Sequence, residues 1–153
     1  MPIVEKATGE DLPWLRSAYR AMLAERQDQG MNFLPTDETV DWVMSHVVAP
    51  AVDDKSDGMF VAREDGKTVG ALYWCRSPHP FRTRYEWACG WGMWVVPEWR
   101  QKGVIKALLE YARAWAKQHG IDRVLDQALT DAARRAVFAA GWTVSEDVVI
   151  LEV

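Results

Sequence analysis

One continuous segment carries most of the structural information in this chain: Met93-Trp94-Val95-Val96-Pro97-Glu98-Trp99-Arg100-Gln101-Lys102-Gly103-Val104-Ile105-Lys106-Ala107-Leu108-Leu109. It begins with an apolar, β-prone run that stops at Pro97, passes through a short basic turn containing Gly103, and becomes an amphipathic helix. The first amides of a helix point outward without a partner inside it, so they can bind an anion. The segment therefore predicts a strand, a loop and a phosphate-binding helix N-terminus.

The composition limits the class of protein. The chain has 153 residues, of which 49% are apolar and 26% charged, so we expect one globular domain spanning residues 1–153. Its formal net charge is −4. A protein that binds a phosphate backbone usually carries a basic stripe, so a nucleic-acid partner is disfavoured.

Cysteine usage and hydropathy exclude several further classes. Cys75 and Cys89 are the only cysteines, and neither lies in a CxxC motif or near a histidine pair. We therefore expect no metal site and two reduced thiols. Residues 1–6 lack a signal-peptide pattern, and no apolar run reaches membrane-spanning length, which together predict a cytoplasmic protein.

The rest of the chain predicts one mixed α/β domain without repeats or linkers. Asp65-Gly66 between two apolar runs predicts a hairpin, and Gly90 and Gly92 within a long strand predict a bulge. The predicted strands cover 2–7, 59–63, 68–74, 84–96, 121–127 and part of 144–153. Thr8, followed three residues later by Asp11, resembles a capping box, so the first predicted helix begins near Thr8. A second begins near Thr36 or Asp37, and two more cover 102–119 and 131–140.

The element order and the central turn resemble the GNAT superfamily of acyl-CoA-dependent N-acetyltransferases. The pattern Val95-x-Pro97-x-x-Arg100-x-x-Gly103 matches the family's strand-to-helix motif. Leu108-Leu109, Ala112, Trp115, Gly120-Ile121 and Ala140-Gly141-Trp142 continue it at the usual intervals. The resemblance implies an α/β fold in which a mixed, mostly antiparallel central sheet is flanked by about four helices.

The resemblance also implies that the anion is the pyrophosphate of acetyl-CoA. In the family, the strand before the turn lies beside the pantetheine arm, and the acyl carbonyl meets a backbone N–H near the strand's bulge. Arg100 and Lys102 could neutralise further charge. The expected cofactor-binding residues are Met93, Trp94, Val95, Arg100, Gln101, Lys102, Gly103, Val104, Ile105 and Lys106.

Two positions depart from the family pattern. Ile105 stands where the family has Gly or Ala, and it either crowds the diphosphate or, under helical dihedrals, turns inward and leaves its amide free. We favour the second alternative, because a β-branched residue tolerates helical geometry. Val137 stands where many members carry the tyrosine that protonates the leaving thiolate. Loss of a general acid typically costs about 10²–10⁴ in rate.

The candidate catalytic residues are Glu86, Cys89 and Tyr85. Glu86 is the only carboxylate of the 84–96 strand and is the first candidate for the general base. The structural alternative is strong, because carboxylates near the end of a strand are often only solvated or paired, here with Arg82 or Arg84. Cys89 lies nearer to the family's usual base position, but a thiol in an apolar strand also fits simple packing. Tyr85, Cys89, Ser145 or a water could replace the missing proton donor.

The acceptor of this family approaches between the first two helices and the sheet. The expected wall residues are Phe33, Leu34, Trp42, Trp74 and Trp91, a set that favours an amine with apolar or aromatic surface. The sequence thus predicts transfer of acetyl from acetyl-CoA to a primary amine of a small molecule or peptide, by direct attack in a ternary complex. The alternative is a non-catalytic acyl-CoA-binding or interaction module. A tryptophan-rich surface would suit a homodimer.

Overall fold

The computed structural model describes residues 1–54, 57–78, 86–125, 134–135, 138–139 and 141, with only the backbone at 77–78, 86–91, 122–123 and 125. The strands of this part are β1 (Ile3–Lys6), β2 (Gly58–Glu64), β3 (Lys67–Pro78), β4 (Glu86–Val95) and β5 (Ile121–Leu125). Its α-helices are α1 (Leu12–Asp28), α2 (Asp37–Val43), α3 (Ala49–Asp53) and α4 (Val104–Gln118).

The strands form one sheet in the order β1-β2-β3-β4-β5. The first three pairings are antiparallel and the β4–β5 pairing is parallel. The parallel step requires a crossover, which α4 supplies between the two strands. The predicted fold class, a mixed and mostly antiparallel sheet with flanking helices, is confirmed.

The hairpin between β2 and β3 has the turn that its sequence demands. Asp65 and Gly66 both have positive φ, at 49° and 74°. Two consecutive residues of this kind form a type I′ turn, whose twist matches that of the flanking strands. The predicted hairpin is confirmed.

The start of α1 is fixed to the sheet by a buried carboxylate. Thr8 N–H donates to Asp11 Oδ2 at 2.9 Å, which forms the predicted capping box. One 3₁₀ turn follows, so α1 itself begins at Leu12, with Pro13 tolerated in its first turn. Arg63 Nη2 on β2 donates to the other oxygen of Asp11 at 2.8 Å. The entry of α1 is therefore tied to both its own cap and a neighbouring strand.

Helices cover both faces of the sheet, each over its own apolar cluster. Leu15 of α1, Val48, and Tyr73 of β3 belong to the cluster beneath α1–α3. The cluster beneath α4 includes Trp74 of β3 and Leu108 of α4. Because successive strand residues point to opposite faces, Tyr73 and Trp74 contribute to different clusters.

Trp74 corrects one prediction about the acceptor wall. Its side chain is only 2% exposed and lies in the cluster that β3 shares with α4. The helices expected to border the acceptor pack on the opposite face of the sheet. Trp74 is therefore a core residue.

A bulge interrupts β4 where two glycines predicted one. Tyr73 lies opposite Gly92, and the next residue, Trp74, lies opposite Gly90. Trp91 is thus the extra residue of the bulge. A bulge disrupts the ladder locally and reorients backbone groups, so peptide N–H groups here are no longer committed to a regular strand pairing.

β3 and α4 approach each other closely at Gly70. A Cβ built on Gly70 would lie 2.9 Å from Val104 Cγ1 and 3.3 Å from Val95 Cγ2. Since both neighbours are buried and β-branched, they cannot move aside easily. The absence of a side chain at Gly70 lets the first turn of α4 pack directly on the sheet.

Two predicted elements lie largely outside the described residues. Of the helix expected over 131–140, positions 134–135 and 138–139 are helical. The closing strands expected within 144–153 are not among the residues described. Within the described ranges, no helix has both the length and the apolar character needed to cross a bilayer.

Replacing Gly70 by alanine should destabilise the protein by about 1–3 kcal/mol, because the added methyl overpacks the contact with Val104. Gly9→Ala is the matched control, since a Cβ there meets nothing within 4 Å. Urea unfolding of both variants measures the difference. Equal stability of the two would contradict the close contact inferred between β3 and α4.

Candidate active site

The turn between β4 and α4 exposes a row of backbone amides. A 3₁₀ turn over Pro97–Trp99 leads to Gln101 and Gly103, which have φ values of 64° and 80°. Gly103 caps α4, and its carbonyl accepts the bond from Ala107 N–H at 3.0 Å. The amides of residues 104–106 precede that bond, so they have no acceptor within the helix. These are the amides at which the sequence predicts an anion site.

Ile105 leaves this site open. The residue has helical geometry, and its half-buried side chain packs against the cluster beneath α4. Of the two alternatives that the sequence left for this position, the inward-turned side chain is confirmed. The Ile105 amide therefore stays available to a ligand.

Arg100 corrects another prediction, since its side chain is engaged elsewhere. Nη1 and Nη2 of Arg100 contact Oε1 and Oε2 of Glu25 at 2.5 and 2.7 Å. Its Nε donates to the carbonyl of Val95 at 3.0 Å. A guanidinium held by a bidentate carboxylate and a carbonyl has little capacity left for a phosphate. Arg100 therefore joins the turn to β4 and to α1.

The exposed cations of the turn are Lys102 and Lys106. Lys102 Nζ lies 4.7 Å from the centroid of the Trp99 ring, a cation–π arrangement. Lys106 Nζ is 3.8 Å from Glu110 Oε1, one helical turn along. Both pairs are at the surface and cost little to rearrange. These two lysines can therefore turn toward an anion at the helix start.

Glu25 of α1 joins the helix to the turn and to β4. It accepts hydrogen bonds from Arg100 and, at 3.3 Å, from Trp94 Nε1. The hydrogen bond from Arg100 is the main reason that the pKa of Glu25 lies below its ordinary value. No local sequence pattern predicts this contact, because Glu25 and Arg100 are 75 residues apart.

A small cavity of about 20 Å³ lies between α1 and the bulge of β4. We call it the bulge cavity. Its lining side chains are apolar except for two tyrosine hydroxyls and the indole N–H of Trp94. Its walls are formed by Leu15, Ala18, Tyr19, Met22, Met59, Ala71, Leu72, Tyr73, Gly92, Met93 and Trp94. The predicted cofactor-binding residues Met93 and Trp94 thus meet α1 here.

Tyr19 places a hydroxyl next to the bulge. A Cβ built on Gly92 would lie 3.6 Å from the Tyr19 hydroxyl oxygen. Burial raises the pKa of Tyr19 to about 12, against a smaller opposing effect of Arg26. Among the described residues, this hydroxyl has no hydrogen-bond partner. It is therefore a protonated donor at neutral pH.

A second cavity, of about 310 Å³, lies on the same side of the sheet. We call it the Asp57 cavity, and it is lined by His46, Val47, Pro50, Ala51, Asp54, Asp57, Tyr73 and Cys75. Tyr73 lines both cavities, and its hydroxyl donates to Asp57 Oδ2 at 2.9 Å. Burial, followed by hydrogen bonds with Cys75 and Asp57, raises the pKa of Tyr73 above its ordinary value.

The predicted catalytic residues are placed only in part. Glu86 begins β4 opposite Pro78, and Cys89 lies opposite Cys75, a residue of the Asp57 cavity. The side chains of Glu86 and Cys89 are outside the described set, as are Tyr85 and Val137 entirely. The strand register therefore places the backbone of Cys89 next to the Asp57 cavity.

The predicted acceptor-wall residues are spread over several environments. Phe33 is half-buried, with Arg26 Cζ 5.5 Å from its ring centroid. Leu34 is 56% exposed. Trp42 is exposed and stacks on His46 of the Asp57 cavity, with ring centroids 4.9 Å apart. Trp91 occupies the bulge, and its side chain is not described.

Comparison with known families identifies the class of this protein. The model of the acetyltransferase (GNAT) family matches residues 15–142, which include the bulge, the turn and α4. The chain therefore belongs to the GNAT acetyltransferase family. A comparison with curated protein sequences found no significant match.

Solved structures share the fold over the whole chain at low sequence identity. A transcriptional regulator from Bacillus halodurans C-125 is 18% identical, with a TM-score of 0.77 and 100% of both chains covered. A possible acetyltransferase from Clostridium difficile 630 is 15% identical, with a TM-score of 0.77 and 100% and 98% covered. AAC(6')-Iy, bound to a CoA-acetylneamine bisubstrate analogue, is 16% identical, with a TM-score of 0.74 and 99% and 97% covered.

Replacing Glu25 by glutamine should lower stability at neutral pH by about 1 kcal/mol, since the ion pair is partly exposed. The pKa of folded Glu25 lies below its ordinary 4.5, so ionisation stabilises the fold above that value. The contribution disappears as the pH falls through the folded-state pKa. Urea unfolding from pH 7 to pH 3 should show the two proteins converging in acid.

Glu110→Gln removes a looser exposed pair with Lys106 and serves as the control. It should change stability by less than about 0.5 kcal/mol at every pH. A Glu25→Gln deficit that persists unchanged at pH 3 would argue against the ion pair as its cause.

Proposed function

We propose that this protein is an acetyl-CoA-dependent N-acetyltransferase that acts on a primary amine of a small molecule or peptide. The observation that carries the proposal is the continuous path from the bulge of β4 to the free amides that begin α4. The amides suit a diphosphate. The bulge, which lies midway along β4, suits a thioester carbonyl. The path lies within the residues matched by the family model.

The cofactor would be held mainly by backbone groups. Amides of residues 104–106 would each donate to phosphate oxygens, with Lys102 and Lys106 adding charge. A hydrogen bond to a charged group contributes about 1.5–3 kcal/mol, and the helix dipole about 0.3–1 kcal/mol more. CoA complexes of AAC(6')-Iy, which shares the fold, are consistent with this role.

In the proposed reaction, a neutral amine attacks the thioester carbonyl carbon. A C–N bond forms, the C–S bond breaks, and the electron pair of that bond leaves with the sulfur. A bulge N–H stabilises the developing oxyanion. Glu86 remains the first candidate to take the proton from the amine, and its side chain lies outside the described residues.

We assign proton donation to Tyr19. Its hydroxyl lies beside Gly92 at the bulge and has no other partner among the described residues. It would transfer its proton to the leaving thiolate and regain one from solvent. Tyr19 comes from α1, so it could supply the hydroxyl that position 137 lacks.

The Asp57 cavity is the proposed acceptor site. It shares the Tyr73 wall with the bulge cavity, so a bound amine would lie next to the thioester. The carboxylates of Asp54 and Asp57 line it, and carboxylates favour cationic groups. This lining favours a more polar amine than the apolar or aromatic one that the sequence predicts. Trp42, at the rim, would supply an aromatic contact.

Binding of CoA tests the cofactor site directly. Ile105→Pro removes one amide of the cradle, at a helix position where α1 and α3 themselves carry Pro13 and Pro50. Ile105→Ala keeps that amide and removes the same packing. Calorimetry should show CoA binding about 10–100-fold weaker for the proline variant than for the alanine variant. Equal CoA affinities of the two variants would show that the Ile105 amide does not bind the cofactor.

Turnover tests the function and the role of Tyr19. The wild-type protein should transfer labelled acetyl from acetyl-CoA to members of an amine panel. Tyr19→Phe should lower kcat about 10²-fold or more without weakening CoA binding, since a general acid acts in the chemical step. Tyr111→Phe makes the same change on the exposed side of α4 and should leave kcat unchanged.

The outcomes separate the two candidate functions. CoA binding without acetyl transfer across a broad amine panel would favour the non-catalytic acyl-CoA-binding module. Transfer that Tyr19→Phe leaves at the wild-type rate would keep the enzyme and exclude Tyr19 as its proton donor.

A further inference from the structure

We propose that Cys75 and Cys89 form a redox-active pair, in which the two thiols close to a cross-strand disulfide on the wall of the Asp57 cavity. Cys75 lies on β3 and Cys89 on β4, and they are the only cysteines of the chain. The effect of this disulfide on acetyl transfer rests on the proposed function, whereas its formation does not.

The register of β3 and β4 places the two cysteines directly opposite each other. Directly opposed residues of antiparallel strands have Cα atoms about 4.5–5.5 Å apart and belong to the same face of the sheet. A disulfide needs a Cα separation of about 4.4–6.8 Å. A disulfide between positions 75 and 89 therefore requires no change of strand pairing.

The bulge of β4 creates this arrangement. On the far side of the bulge, Tyr73 pairs with Gly92. Continuing that register would place Cys75 opposite Gly90. The extra residue of the bulge shifts the register by one, so Cys75 pairs with Cys89 instead. The irregularity that the proposed function assigns to the thioester carbonyl thus also brings the two cysteines into register.

Cys75 lies within reach of a small oxidant. Its side chain is half-buried and lines the Asp57 cavity, and its sulfur is present as a thiol that donates to the carbonyl of Arg76 at 3.4 Å. Tyr73, two residues earlier on the same face of β3, lines this cavity as well. A bond formed at Cys75 therefore changes the wall that the acceptor would contact.

The oxidation consumes one molecule of hydrogen peroxide. The Cys75 thiolate attacks a peroxide oxygen, the O–O bond breaks, and one water leaves, which gives a sulfenic acid. The Cys89 thiolate then attacks that sulfur, the S–O bond breaks, and a second water leaves. The two thiols lose two electrons and two protons in all, and the peroxide is reduced to two waters. A dithiol reductant reverses the change by thiol–disulfide exchange.

Closing the disulfide strains the sheet next to the bulge. Directly opposed Cβ atoms lie about 4.5–5.5 Å apart, whereas a disulfide holds them about 3.5–4.5 Å apart. The bond therefore draws β3 and β4 together two residues from Trp91. A displacement of about 1 Å at a reacting group can cost about 10²-fold in rate. The amides of residues 104–106 lie beyond the other end of β4, so CoA binding should survive the oxidation.

Peptide mapping under non-reducing conditions tests the pair. Wild-type protein treated with hydrogen peroxide should become lighter by two hydrogen atoms and should form no cross-linked dimer. Trypsin cleaves at the arginines between the two cysteines, so the oxidised protein should yield peptide 68–76 joined to peptide 85–100. Dithiothreitol should separate the two peptides. A wild-type digest without the joined peptides, or with a disulfide between two chains, would overturn the pair.

A shifted cysteine is the matched control. Ala88 lies opposite Arg76, so the double variant Ala88→Cys, Cys89→Ala keeps two thiols but moves one of them out of register. It should give no joined peptides at the peroxide dose that oxidises the wild-type protein. Linkage equal to that of the wild type would contradict the role of the register. Should the double variant not fold, the wild-type digest decides alone.

Activity before and after oxidation tests the effect on transfer, with each protein compared with its own reduced form. Oxidised wild-type protein should have an acceptor kcat/KM lower by about tenfold or more, an unchanged CoA affinity, and full recovery in dithiothreitol. Cys75→Ser should keep its own reduced-state rate, and an equal loss in that variant would overturn the effect on transfer. Joined peptides from a protein that shows no transfer even when reduced would leave the pair standing and remove the proposed function.

Discussion

The contact of β3 with the first turn of α4 determines where the first amides of that helix lie. Without a side chain at Gly70, Val104 packs directly against the sheet, and the start of α4 is held over the end of β4. The chain between them has only residues 96–103 in which to reverse direction. It does so with positive φ at Gln101 and Gly103, which leaves the first helical amides facing outward. The outward-facing amides of the proposed anion site therefore follow from core packing, and no cationic side chain has to create them.

Much of the fold could be predicted because its signals are local. The Asp65-Gly66 turn, the Thr8–Asp11 capping box and the Gly103 and Gly120 boundaries of α4 each depend on a few neighbouring residues. The bulge at Gly90 and Gly92 was also indicated, because glycine in a strand weakens regular pairing. The amide-lined turn can therefore be predicted from neighbouring residues, without any contact between distant parts of the chain.

The errors concern contacts that no local pattern encodes. Arg100 was assigned to a phosphate, since its carboxylate partner, Glu25, lies 75 residues earlier on another element. Trp74 was assigned to the acceptor, because a strand covered on both faces gives no alternation that separates one face from the other. The position of the Tyr19 hydroxyl beside Gly92 is equally unpredictable, since a place on one face of a helix says nothing about which strand residue lies opposite. The surroundings of Arg100, Trp74 and Tyr19 all depend on contacts between residues far apart in the sequence.

The carboxylate of Glu25 has a consequence for any effort to redesign this protein. One side chain on α1 anchors both the turn, through Arg100, and the central strand, through Trp94. α1 also carries the wall of the bulge cavity. A change in the packing of α1 therefore reaches the turn, the central strand and the cavity wall together, and a library that randomises α1 should keep position 25 constant.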